Sequence, residues 1–164
     1  MTGSHPVPSI VPDASVAAKW YLTDEDLTVE ARGLLEQFRQ RAAVPLVPDC
    51  FYYELTGLIR RAERRQPPRL SPAQVDAAIT DVVALPIPSV ESRPYLSDML
   101  RHSRALNVAV YDALYVAVAE RASATFVTAD KSLYDRILHL PFVRWLGDLD
   151  TTARRTEPSE RFSP

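Results

Sequence analysis

Four carboxylates stand where a folded chain seldom leaves a charge without purpose. Asp112 is set near the start of residues 108–120, VAVYDALYVAVAE. There Val110, Leu114 and Val118, and alongside them Tyr111, Tyr115 and Ala119, recur at helical spacing. The stretch reads as a largely buried helix, and a charge among so much apolar surface is costly unless it is paired or coordinates a metal. Asp13 follows the short apolar run SIVP, Glu54 lies beside the apolar face of 50–65, and Asp130 follows TFVTA. Each acid has an ordinary alternative. Asp13 and Asp130 can cap the helices that follow them, Glu54 can be a solvated helix acid, and Asp112 can complement the positive end of its helix. Yet all four sit inside apolar local patterns. Lysines are few, and only Lys19 and Lys131 lie near them in the sequence.

Carboxylates acting together would bind a hard, octahedral cation, Mg²⁺ or Mn²⁺, in preference to zinc. Such an ion activates water and stabilises the leaving oxygen of a phosphodiester, which is hydrolysis without a protein nucleophile. Other chemistry is poorly supplied. Cys50 is the only cysteine, so there is neither a disulfide framework nor a thiolate metal site. His5, His102 and His139 match no metalloprotease spacing. A net charge of −2 gives no global basic signal for a polyanion, so an RNA partner requires a local basic patch, a metal, or both. No apolar run is long enough to span a membrane and no secretory signal opens the chain, so a cytoplasmic protein is expected.

The elements that must hold these acids alternate between strand and helix. At 164 residues the chain suits one domain, taken as 7–150, followed by a polar, proline-bearing tail over 151–164. Strands are expected at 9–13, 45–47, 85–90, 125–128 and 143–146. Helices are expected at 14–22, 27–43, 50–65, 72–84, 93–106, 108–120 and 131–140. The fourth opens on Ser71-Pro72-Ala73-Gln74, the form of a capping box with proline at the first helical position. This alternation predicts an α/β fold with a central parallel sheet covered on both faces. Ligands of such sheets bind outside the carboxyl ends of the strands, where Asp13 and Asp130 fall.

The segments IVPDASVAAKWY, PDCFYYELTGLIRRA, AVYDALYVAVAE and TFVTADKSL resemble, in that order, the acidic motifs of PIN-domain ribonucleases. The third and fourth look particularly like the VapC-type toxins of bacterial toxin–antitoxin pairs. The resemblance covers about 9–149. It implies a three-layer α/β/α sandwich and metal-dependent endoribonuclease activity. It also implies Mg²⁺ or Mn²⁺ ligation, and so catalysis, by Asp13, Glu54, Asp112 and Asp130. Ser15 and Thr128 match positions that are commonly small hydroxyl residues in the family, although Ser15 can equally cap the first helix. The family also implies a homodimer and inhibition by a small cognate antitoxin.

Neighbouring enzyme classes fit less well. A haloacid-dehalogenase-type phosphatase would want a second Asp where Ser15 stands, and a response-regulator receiver would want an acid on the 85–90 strand. Two readings compete with the toxin: a non-toxin RNA-processing nuclease, and a metal-binding RNA-binding or assembly module without turnover. The run Arg60, Arg61, Arg64, Arg65 and Arg69 either contacts RNA phosphates or is a solvated basic helix end favoured by the dipole.

Overall fold

The computed structural model describes residues 7–149; the tail expected over 151–164 lies outside them. In chain order the elements are β1 (Ser9–Pro12), α1 (Ala14–Ala18), α2 (Thr28–Arg39), β2 (Val44–Pro45), β3 (Val47–Pro48), α3 (Phe51–Arg64), α4 (Pro72–Ala84), β4 (Ser89–Val90), α5 (Leu96–Leu106), α6 (Val110–Arg121), β5 (Thr125–Thr128), α7 (Lys131–Ile137) and β6 (Val143–Trp145).

Four strands make one parallel sheet in the order β2-β1-β5-β6. Helices flank this sheet on both faces, giving the α/β sandwich that the alternation predicts. Val11, Phe126 and Val127 are fully buried, as strands covered on both faces require. The chain leaves β1 in one direction to reach β2, and later leaves β5 in the other direction to reach β6. The winding therefore reverses between β1 and β5, and a crevice opens at the carboxyl ends of that pair. Asp13 and Asp130 lie immediately beyond those two strands.

Across the sheet lies α6, which contacts β1, β3, β5 and α5. Seven consecutive residues, from Ala113 to Ala119, are buried. A helix covered on all sides has no polar stripe to orient it. Val110 and Tyr111, counted at the sequence level as part of the buried pattern, are instead exposed. They occupy the first turn, ahead of the buried run, with Asp112 half-buried at the boundary.

Proline accounts for one further difference from expectation. The strand expected over 85–90 shrinks to Ser89–Val90, because Pro86 and Pro88 have no N–H to give a ladder. It pairs with β3 outside the main sheet, through Val47 N–H to Pro88 O (3.1 Å) and Asp49 N–H to Val90 O (2.9 Å). The run 44–48 thus changes partner midway: Leu46 N–H still bonds Ile10 O, and the next residue turns to the minor pair. The helix expected from residue 27 starts at Thr28, since Leu27 adopts a left-handed φ of 62°. The one expected over 14–22 ends at Ala18, after which Trp20 Nε1 donates to Ala31 O (2.9 Å) and ties α2 down. Ser71 and Gln74 form the anticipated capping box of α4.

Candidate active site

The turn after β1 and the turn after β5 are bonded to each other through two parallel relays. Ala129 N–H donates to Ser15 Oγ (3.1 Å), which donates to Asp13 Oδ1 (2.5 Å). Asp130 N–H donates to Thr128 Oγ1 (3.0 Å), which donates to Asp13 Oδ2 (2.5 Å). Each hydroxyl accepts and donates at once, so the backbone amides of one turn polarise bonds that end on the carboxylate of the other. Asp13 also caps α1, its Oδ1 accepting from Val16 N–H (3.0 Å), and Asp130 caps α7 by accepting from Leu133 N–H (3.0 Å). The capping role and the site role, set out above as alternatives for these two residues, are compatible in the geometry. Ser15 serves the acid and not the helix end.

Glu54 comes from the first turn of α3 and Asp112 from the first turn of α6. The Tyr115 hydroxyl donates to Glu54 Oε1 at 3.3 Å, and the Cys50 thiol donates to the same carboxylate. Asp112 accepts no hydrogen bond among the described residues. All four acids line one cavity of about 290 Å³, together with Ala14, Ser15, Gly57, Leu58, Arg61 and Tyr115.

Among the described residues no ion pair neutralises them. Lys19 is engaged with Glu25 (3.0 Å) and Lys131 with Asp135, so the two lysines nearest in sequence are spent elsewhere. Asp13, Asp112 and Glu54 hold their protons more tightly than free carboxyls do. Burial pushes Asp13 up to about 6, against the pull of the Ser15, Thr128 and Val16 hydrogen bonds, with the Asp112 charge adding to the rise. Burial also pushes Asp112 up to about 6, helped by the charges of Asp130 and Glu54. Glu54 is raised by burial, with Cys50 and Tyr115 opposing and Asp13 reinforcing.

Thr128 is fully buried and its hydroxyl has no substitute. Thr128→Val keeps the shape but strands Asp13 Oδ2 and the Asp130 N–H, and should cost about 1–3 kcal/mol of stability. Urea unfolding in EDTA measures this, and a loss near zero would refute the relay.

One contributor escapes a reading of the sequence: Tyr115 counts there only as a core aromatic. Arg61 is expected there, within the basic run, as a candidate RNA contact, and the structure sets it at the cavity. The structure separates that run. Arg60, Arg61, Arg64 and Arg65 border a shallow depression next to the acid cavity. Arg69 instead turns away to pair with Asp24 (2.5 Å) and Glu25 (2.9 Å).

A family model described as the PIN domain matches residues 10–137. The match spans most of the sequence, and the chain belongs to the PIN-domain family. PIN domains are generally nucleases, and those nucleases generally use divalent metals. No curated protein matches the chain significantly. Among solved structures it is similar to PAE2754 from Pyrobaculum aerophilum, with a TM-score of 0.61 and 18% identity over 85% of this chain and 92% of that one. It is also similar to Mycobacterium tuberculosis VapC20, a sarcin–ricin-loop-cleaving toxin, with a TM-score of 0.54 and 14% identity over 77% of this chain and 93% of that one.

Among the described residues, no three His, Cys, Asp or Glu side chains are gathered into a ready-made metal site. The donor set nonetheless fits a hard divalent cation. It is oxygen-only, it has no competing cation pair, and both Asp112 oxygens and one lone pair of Asp13 Oδ2 remain unused.

Proposed function

We propose that this chain is a metal-dependent endoribonuclease and acts as the toxin of a toxin–antitoxin pair. The observation that carries the reading is the convergence of Asp13, Glu54, Asp112 and Asp130, from four separate elements, on one cavity at the switch point of the sheet. Asp13, Glu54, Asp112 and Asp130 would hold Mg²⁺ or Mn²⁺, and the ion when bound supplies the acidity that ionises water and the charge that stabilises a leaving oxygen. The chain's part is positioning. The two relays fix Asp13 against rotation, while Tyr115 and Cys50 fix Glu54. Asp112, which accepts no hydrogen bond among the described residues, is free to turn toward an ion. The similarity to the toxin VapC20 supports the toxin assignment. A toxin of this kind would pair with a small antitoxin whose arginine enters the anionic cavity and pairs with its carboxylates, and would act as a homodimer.

Incubation with a panel of transfer, ribosomal and messenger RNA should give discrete internal cuts with Mn²⁺ and none with EDTA. Expression alone should arrest bacterial growth, and co-expression of a small adjacent gene should relieve the arrest. Internal cutting without arrest would favour an RNA-processing role. Binding without cutting by the metal-loaded protein would favour an assembly module.

A further inference from the structure

Gly57 sits in the middle of α3, and the helix gains nothing from it. Its φ lies outside the left-handed region. A Cβ added there would meet nothing within 4 Å, so packing does not require a missing side chain either. Helix interiors are nonetheless where glycine is least favoured.

The open space lies where two depressions meet. Gly57 and Arg61, one turn apart on the same face, border both the acid cavity and an open depression of about 450 Å³ walled by Arg60, Arg64 and Arg65. Arg60 is committed to Glu63. Arg61 makes no hydrogen bond or ion pair among the described residues. By helix geometry the Arg61 backbone stands about 10 Å along the axis from that of Glu54, and its side chain lies on the rim that the two depressions share, so a phosphate it grips sits at the edge of the acid cavity. Its planar guanidinium suits a phosphodiester better than a compact cation would.

Resting on the ribonuclease reading, we propose that the bare surface at Gly57 is the passage by which a single-stranded RNA backbone leaves the acid cavity, with Arg61 holding the phosphate beside the one that is cut. Arg61 is then a positioning residue. Gly57 marks a place where stability is given up to keep the path clear.

The test is steady-state cleavage of an unstructured oligoribonucleotide with Mn²⁺, with melting temperatures taken alongside. Gly57→Ala and Gly57→Leu should both melt about 2–4 °C above the parent, because each is a better helix former. Gly57→Leu fills the passage and should raise KM on the order of tenfold at nearly unchanged kcat, about the effect of losing one charge-assisted phosphate contact, and Gly57→Ala, which intrudes less, should raise KM by a smaller factor. Arg61→Gln should raise KM by a similar factor and reduce the slope of log kcat/KM against log salt by about 0.7–1. A parent that cleaves, with KM and salt slope unmoved in Gly57→Leu and Arg61→Gln, overturns the passage and leaves the ribonuclease reading standing. A parent inert on every RNA overturns both. Should Gly57→Leu fail to fold, Arg61→Gln decides alone.

Discussion

RNA cleavage by Asp112→Asn is expected to fall at least about a hundredfold while the protein folds as well as the parent or better. The loss follows from the oxygens. Asp112 is the one acid of the four with no hydrogen bond to satisfy, so its carboxylate is wholly available to a cation. Even outer partners of metal ligands cost about 10–100-fold when removed, and a direct ligand should cost no less. The retained stability follows from the same environment. Burial and the charges of Asp130 and Glu54 already disfavour the ionised form, and a neutral amide of equal size removes that repulsion. Cleavage assays with Mn²⁺ and melting curves in EDTA check the two halves. An Asp112→Asn enzyme as fast as the parent would exclude Asp112 from the site.

In EDTA, the melting temperature should drop as pH rises from 5 to 7, the reverse of what paired surface carboxylates produce. An unfolded Asp releases its proton near 4, whereas Asp13 and Asp112 in the folded protein hold theirs to about 6. Between those values the folded state binds more protons than the unfolded one, so stability declines with pH and then levels off above about 6. Glu25, lowered by its Lys19 and Arg69 contacts despite burial, acts in the opposite sense, but its window lies below the unfolded value near 4. For Asp13, which is almost wholly buried, the upward shift corresponds to about 3 kcal/mol. Mg²⁺ or Mn²⁺ at a hundredfold excess over its dissociation constant should return about 2.7 kcal/mol at neutral pH. Asp112→Asn should flatten the pH profile and blunt the response to metal. Melting curves at pH 5, 6, 7 and 8, with EDTA and with Mn²⁺, test this; a melting temperature in EDTA that climbs across the interval, or no response to millimolar metal, would refute it.

The acids were legible in the sequence because each interrupts an apolar pattern, and the alternation of elements placed two of them at strand ends. The parallel sheet and the buried helix around Asp112 followed from the same periodicities. What stayed hidden depends on separations that no local pattern encodes. Ser15 and Thr128 are marked by the resemblance, but that both hydroxyls, 113 positions apart, donate to Asp13 is not. Arg69 belongs by spacing to the basic run, and only the fold shows that acids 44 and 45 residues earlier have claimed it. The 85–90 strand misled because its hydrophobicity is real while its prolines cannot donate; Pro86 and Pro88 carry enough weight to move the segment out of the main sheet. Tyr115 reads as core because its ring is core, stacked on Phe126, and only its hydroxyl reaches the site.

The twin relays also bear on inheritance. The side chains of Asp13, Ser15 and Thr128 are joined to one another and to the backbone amides of 129 and 130, so a change at position 13, 15 or 128 is felt at the other two. Drift through this patch has few neutral steps. Asp112, answerable to no partner in the fold, can be lost in a single substitution that leaves a sound protein behind. In a lineage released from the need to cut RNA, position 112 is therefore where the first silencing changes should accumulate, with the relay residues persisting longer as remnants of architecture.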